Sequence, residues 1–173
     1  MEKTIGVFYG SDSGVTEEIT EKLENLWTLT PLHIEKIADC SAADFEPYDI
    51  IFIGLSTWYY GELQSDWEAF FDEFKTIDFT GKTVALYGPG DQYGYDFYYV
   101  DGIGILAKVI LENGGEIVGH WPTEGYDHEE SKAEMNDDYF YGLALDDDNQ
   151  PELTDDRLQK WVAQLEEELK DKI

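Results

Sequence analysis

The sequence predicts an α/β fold in which one parallel sheet is covered by helices on both faces. Strand-like and helix-like stretches alternate along nearly the whole chain, the rhythm of strand–helix–strand crossovers. The run Asp49–Leu55, DIIFIGL, is apolar without a break, as in a strand buried on both faces. A glycine- and hydroxyl-rich turn, SDSG, follows the first apolar run and opens a helix, which puts a binding loop at the carboxyl end of a strand.

In chain order, Thr4–Tyr9 is the first strand, and Thr16–Leu26 reads as a helix with Ile19, Leu23 and Leu26 on one side. Leu32–Ala38 alternates like a more exposed strand. A second helix is expected from about Leu63 to Phe74, turning Leu63, Trp67, Phe70, Phe71 and Phe74 inward. Lys82–Tyr87 is a fourth strand, and Gly102–Glu112 a third helix closed by Asn113-Gly114-Gly115. After Glu116–Gly119 the rhythm stops. Trp121–Tyr141 has no clear period, Gly142–Leu145 reads as strand again, and Asp155–Leu169 forms the last helix with Thr154 as its N-cap. Strand, irregular segment, strand is the pattern of an insertion that splits one sheet strand, and so long a loop normally has a job. Trp27 and Trp161 fall on apolar helix faces and are expected in the core. No linker or repeat divides residues 1–173, so one domain is expected.

Composition narrows the functional classes. Hydrophobic residues make up 42% of the 173, and no apolar run approaches the length of a membrane span. No cationic or signal-like leader precedes Thr4, and the lone Cys40 fits a reducing compartment, so a cytoplasmic location is expected. Thirty-nine acids against eleven bases give a net charge of −28, with Arg157 the only arginine. That field repels nucleic acid and anionic lipid. It serves either as a very soluble surface or as steering toward a basic protein partner. Aromatic residues reach 15%, which argues against disorder.

Three segments leave strand ends, Gly10–Thr16, Ser56–Gly61 and Gly88–Asp101, and they should converge. The first offers the Ser11, Ser13 and Thr16 hydroxyls and the free amides of a helix start. A triphosphate loop would need lysine after Gly14, where Val15 stands, and the glycine spacing is one residue short. Neutral donors suit a phosphate monoester instead, with Asp12, Glu17 and Glu18 turned away. Taken alone, SDSGVT fits a simple helix cap equally well. The second segment carries Trp58, Tyr59 and Tyr60, poor core candidates where the chain turns over the surface, and the third is again glycine-rich and aromatic, with Tyr93, Tyr95, Tyr98 and Tyr99. Two aromatic loops beside one phosphate loop favour a flat, phosphorylated aromatic ligand.

Other chemistries find less support. His33, His120 and His128 are scattered, without a helical pair or a cysteine partner, so no metal site is expected. Asp146-Asp147-Asp148 lacks the glycine and terminal glutamate of a calcium loop and reads as a solvated turn. No G-x-S-x-G elbow is present for a serine nucleophile. A receiver-type domain would need acids at the end of the first strand, and VFYG has none. The last helix has an acidic polar face, which speaks against membrane binding.

The chain resembles a flavodoxin of the long-chain type along essentially its whole length. SDSGVTE is similar to the family's phosphate loop, STWYYGELQSDWEAF to its ring-contacting segment, GDQYGYDFYYVDGIGIL to its third loop and ALDDDNQPELTDDRLQKWVAQL to its C-terminal signature. The first motif is weak alone, whereas TW..GELQSDW with GDQ.GY is specific. The resemblance implies a doubly wound five-stranded parallel sheet of order 2-1-3-4-5, its fifth strand split by an insertion at about 121–141. It implies a monomeric one-electron carrier using non-covalent FMN, with no catalytic residues and no metal. Ser11, Ser13, Gly14 and Thr16 would hold the phosphate, in a loop that includes Asp12 and Val15. Trp58 and Tyr95 would cover the two ring faces, with Ser56, Tyr60, Gly61, Pro89, Asp96 and Tyr98 in the flanking loops. The backbone of Tyr59, Gly90 and Asp91 would meet the ring's polar edge, and Thr57 and Asp148 would lie near the ribityl chain.

The implied partners are basic-faced redox proteins: reductases of the ferredoxin/flavodoxin–NADP type, photosystem I type donors and ferredoxin-dependent reductases. An FMN-dependent NAD(P)H quinone or azo reductase of the same fold is the alternative. Three departures from the family pattern are expected to matter. Tyr59 stands where a residue tolerant of positive φ eases a peptide turn, Ser56 where relatives commonly have proline, and Pro89 removes an N–H from the third loop.

Overall fold

The computed structural model describes residues 3–173, built around a parallel sheet. In chain order the elements are β1 (Ile5–Tyr9), α1 (Val15–Leu26), β2 (Leu32–Lys36), β3 (Ile50–Gly54), β4 (Thr57–Trp58), β5 (Glu62–Leu63) and α2 (Ser65–Phe74). There follow β6 (Thr83–Pro89), α3 (Asp101–Glu112), β7 (Glu116–Val118), β8 (Trp121–Pro122), β9 (Tyr139–Phe140), β10 (Leu143–Leu145) and α4 (Pro151–Leu169). The sheet runs β2-β1-β3-β6 and ends on two short strands that share one edge of β6. β7 pairs with Thr83–Ala85 and β10 with Tyr87–Pro89, both parallel. They are the two halves of one fifth strand, interrupted by the insertion, as the broken pattern implied.

Side-chain alternation assigns the core to two layers. Phe8, Ile51, Ile53, Val84 and Leu86 face α2 and α3, while Ile5, Val7, Phe52, Ala85 and Tyr87 face α1 and α4. With both faces covered, the central strands must be apolar throughout, which is why DIIFIGL shows no alternation. Trp161 is fully buried in the second layer, with Trp27 at its margin.

Several boundaries differ from the sequence expectation, each for a local reason. α2 starts at Ser65, because Leu63 pairs with Thr57 in the β4–β5 ribbon and the Gln64 side chain accepts the Trp67 N–H as the cap. α4 starts at Pro151, not Asp155. A proline in the first turn loses no hydrogen bond, so Thr154 lies inside the helix with its hydroxyl bonded to Asp147. Pro89 is the last residue of β6 rather than part of a loop. β2 stops at Lys36, where a 3₁₀ turn over Ile37–Asp39 takes over. Phe71 is only half-buried. The insertion is not structureless: β8 and β9 pair in it, and Phe140 is fully buried against Tyr99 and Tyr126.

Candidate cofactor site

The three loops do converge. Ser13 and Val15 of the first, Ser56, Thr57 and Trp58 of the second, and Gly90, Asp91 and Tyr95 of the third, with Pro89 at the end of β6, line one slot of about 260 Å³. Asp147 and Asp148 close it from the start of α4.

The first loop turns on Gly14, whose φ of 92° lies in the left-handed region that a side chain resists. Its N–H donates to Ser11 Oγ at 2.9 Å, so Ser11 shapes the turn. The opening amides of α1 have no intrahelical acceptors and face an incoming anion. Asp12 does turn away: its carboxylate accepts from the Ser65 hydroxyl at 2.5 Å and from Gln64 Nε2 at 3.1 Å. Burial pushes that carboxyl up, but the Ser65 and Gln64 donors outweigh it and hold it below its ordinary range. Glu17 takes the Tyr9 hydroxyl and Glu18 pairs with Lys22, so neither acid spoils the anion site.

Three atoms are conspicuous. Thr16 Oγ1, Ser56 Oγ and Trp58 Nε1 are buried yet have no hydrogen-bond partner among the described residues. Ser56 and Trp58 line the slot, and Thr16 adjoins Val15 in the first turn of α1. A buried polar atom without a partner costs about 1–3 kcal/mol, so Thr16 and Ser56 mark a place meant for a polar ligand. Trp58 Nε1 instead leans toward the Asp12 carboxylate, and two further unpartnered atoms, His128 Nδ1 and Arg157 Nη1, lie away from the slot.

The remaining candidates fall into two groups. Thr57 is committed to the scaffold, its hydroxyl accepting the Gly102 N–H at 2.9 Å beneath α3. Gly61, at φ 86°, lies where a Cβ would approach Asp101 Oδ2 to 2.6 Å, so it serves packing. Asp96 holds the insertion, its carbonyl accepting the N–H groups of Glu129 and Glu130. Tyr59 and Tyr60 are 56% and 77% exposed and rest edge-on against Tyr95 and Tyr98, forming a rim outside the slot. Tyr59 sits at φ 47°, so a bulky residue occupies the left-handed region here nonetheless.

Asp146-Asp147-Asp148 is a solvated turn only in part: Asp147 and Asp148 lie in a turn with Asp148 exposed, but Asp146 is not solvated. Asp146 is fully buried and accepts from the amide and side chain of both Gln92 and Asn149. Gln92 Oε1 in turn accepts the Asp127 N–H, which ties the third loop, the start of α4 and the insertion together. Asp91 folds back on its own loop, taking the N–H groups of Tyr93 and Gly94 and the Asn149 side chain. Burial raises its carboxyl, and these donors more than offset that. Burial first, and then the charges of Asp91, Asp146 and Asp147, raise the Asp148 carboxyl. Asp147, Gln92, Asn149 and Gln64 were missed in the sequence. The usable signal was the polar run DDDNQ directly ahead of a helix.

Away from the slot, Glu35, Cys40 and Asp44 come within 4.8 Å of one another, and His33 bonds Glu35. Sequence spacing alone did not bring these together. Burial and the Glu35 carboxylate push the Cys40 thiol up to about 12, which keeps it protonated. The site is empty.

The flavodoxin family model matches residues 7–161. The flavodoxin of Klebsiella pneumoniae is 48% identical over 165 residues, covering 95% of this chain and 94% of that protein. Flavodoxin 1 of Escherichia coli K12 is 49% identical over 164 residues, covering 95% and 93%, and the flavodoxin of Nostoc sp. PCC 7120 is 46% identical over 168, covering 97% and 98%. The structure of Fusobacterium nucleatum flavodoxin bound to flavin mononucleotide superposes with a TM-score of 0.91 at 31% identity, covering 96% of this chain and 99% of that one.

Proposed function

The chain belongs to the flavodoxin family, and we propose that the slot between the three loops is where it holds FMN. The protein is an FMN electron carrier rather than an enzyme, and the reductase alternative is not favoured. The observation that carries the slot assignment is the pair of buried, unpartnered hydroxyls, Thr16 Oγ1 and Ser56 Oγ, where the three loops meet.

Bound there, FMN supplies the one-electron chemistry, and the protein supplies position and field. The first amides of α1, with the Ser13 and Thr16 hydroxyls, form a neutral cage for a phosphate dianion, strengthened by the helix dipole. No cation is needed. Trp58 and Tyr95, which both line the slot, would cover the ring, excluding water and hindering hydride approach. The backbone of Gly90 and Asp91 would meet the ring's polar edge. Asp91, Asp147 and Asp148 line the same slot, so added negative charge there is opposed by theirs in a poorly screened setting. This keeps the potential low.

The partners are redox proteins. The −28 charge supports a basic-faced partner, and the family resemblance implies reductases of the ferredoxin/flavodoxin–NADP type, photosystem I type donors and ferredoxin-dependent reductases, each met by a monomer. The exposed rings of Tyr59, against slot-lining Tyr95, and of Tyr60 give such a partner a contact surface. Among the described residues no helix is long and apolar enough to cross a membrane, and the free Cys40 supports a cytoplasmic setting for the single FMN unit 1–173.

The test is an anaerobic dithionite titration of FMN-loaded protein, with FMN affinity measured for the native chain and for Trp58→Ala. Two separate one-electron steps, and clearly weaker binding in the variant, are expected. Direct two-electron reduction would restore the reductase reading, and unaltered affinity would move FMN out of this slot.

A further inference from the structure

The acidic surface has one exception. Only eleven of 173 residues are basic, yet Lys75, Lys108 and Lys132 line a single open groove of about 720 Å³. It runs between the C-terminal end of α2, the outer face of α3 and the insertion, and shares no residue with the cofactor slot. Its apolar wall includes Phe71, Ile105, Leu111 and Tyr141.

α3 is unlike the other helices. α1 carries Glu17, Glu18, Glu21 and Glu24, whereas the outer face of α3 presents Ile105, Lys108, Leu111 and Glu112. Leu111 is 44% exposed, a large apolar side chain left in water beside a lysine. Among the described residues neither Lys108 nor Lys132 pairs with a carboxylate, although the chain has thirty-nine acids to offer. Lys75 pairs with Asp72 at 3.1 Å and lies 5.0 Å over the Phe71 ring. Of the two acids at the groove, Glu134 is held by His128 Nε2 at 2.5 Å and Glu112 has no basic partner among the described residues, so three lysines face two carboxylates there.

Lys132 is also fixed in place. A Cβ at Gly104 would lie 2.0 Å from the Lys132 carbonyl oxygen, so only glycine lets the insertion press onto α3 there. The Lys132 N–H donates to Asp101 Oδ1 at 2.8 Å and locks that approach.

We propose that this groove binds a small amphipathic anion, a carboxylate or sulfonate on an apolar body. The body lies on Ile105, Leu111 and Tyr141, and the head lies among Lys108, Lys132 and Lys75. Charge selects an anion, and size selects a small one. The volume falls in the range of small-ligand pockets, roughly 300–1,000 Å³. An acidic protein would meet the −28 field across its whole face, while a single head group feels chiefly the charges within a Debye length of about 8 Å.

The experiment uses FMN-saturated protein, so that the cofactor slot is blocked, and anilinonaphthalene sulfonate as the probe. A saturable one-to-one rise in dye fluorescence is expected. Lys108→Glu with Lys132→Glu should weaken it about tenfold or more. Lys160→Glu with Lys170→Glu, the same change in net charge at exposed ion pairs elsewhere, should leave it unchanged. Native FMN binding by each variant verifies folding. Absence of saturable binding, equal loss in both double variants, or release of FMN by the dye would overturn the proposal. The groove stands independently of where FMN sits, so either assignment can fail alone.

Discussion

Thr16 illustrates what a single side chain reveals when its partner is a ligand. Its hydroxyl is buried and unpaired, a cost to the protein alone and a gain once a phosphate arrives. Thr16→Val should therefore leave the FMN-free protein as stable as before or slightly more so, while raising the FMN dissociation constant about tenfold or more. Urea unfolding without FMN and a flavin fluorescence titration read the two halves separately. Tyr59 shows the opposite economy, strain held in the resting backbone at φ 47°. Left-handed geometry costs a side chain about 1 kcal/mol, and the exposed edge contact with Tyr95 returns about 0.5. Tyr59→Asn should then stabilise the protein by about 0.5 kcal/mol in urea, and a lower midpoint would show that the ring contact outweighs the strain.

The insertion is an element with a core of its own. Phe140 is fully buried among Tyr99, Tyr126 and His128, and the Arg157 guanidinium lies 4.2 Å over the Tyr126 ring. Phe140→Ala should cost about 3–4 kcal/mol of unfolding free energy, while exposed Tyr139→Ala should stay within about 0.5. Equal, small effects would mean that the insertion is a loose flap. α3 supplies a pH-dependent contribution through Asp101 at its first turn. Burial raises this carboxyl, although the Lys132 N–H pulls the other way. A raised folded-state pKa contributes stability below the unfolded value of 3.8, and that contribution is lost as pH rises through the raised value. Asp101→Asn keeps an acceptor for Lys132 and removes the buried charge. It should thus gain stability over the native chain near neutrality, with the difference shrinking toward pH 4 in paired urea melts.

At the scale of the molecule the dominant quantity is charge. A net −28 repels itself, and much of it is exposed on α1 and α4. Raising salt from about 0.01 to 0.3 M shortens the screening length several-fold, so the thermal midpoint should rise by several degrees, roughly the effect of 1 kcal/mol. Over the same range, association with a basic redox partner should slow. A midpoint that fell with salt would show that the ion pairs outweigh the repulsion.

The amino-acid pattern alone determined the parallel sheet, its coverage on both faces, the split fifth strand and the meeting of three loops. Those follow from apolar periodicity and from glycines and hydroxyls at strand ends, which are local and legible. Ten of the eleven residues lining the slot were among those expected there, several of them only through the family resemblance, and Asp147 was not. The misplaced features are the ones settled by distant partners. Asp146 reads as solvent-exposed until Gln92 and Asn149 cover it, and Thr154 reads as a cap until Pro151 starts the helix a turn earlier. Cys40 finds Glu35 and Asp44 only through the turn after β2, and Lys75, Lys108 and Lys132 become neighbours only when α2, α3 and the insertion pack together. Periodicity specifies which face of an element is buried, but not which polar groups meet across elements. That is decided by tertiary packing, where a buried donor or acceptor must find its partner wherever the fold brings one.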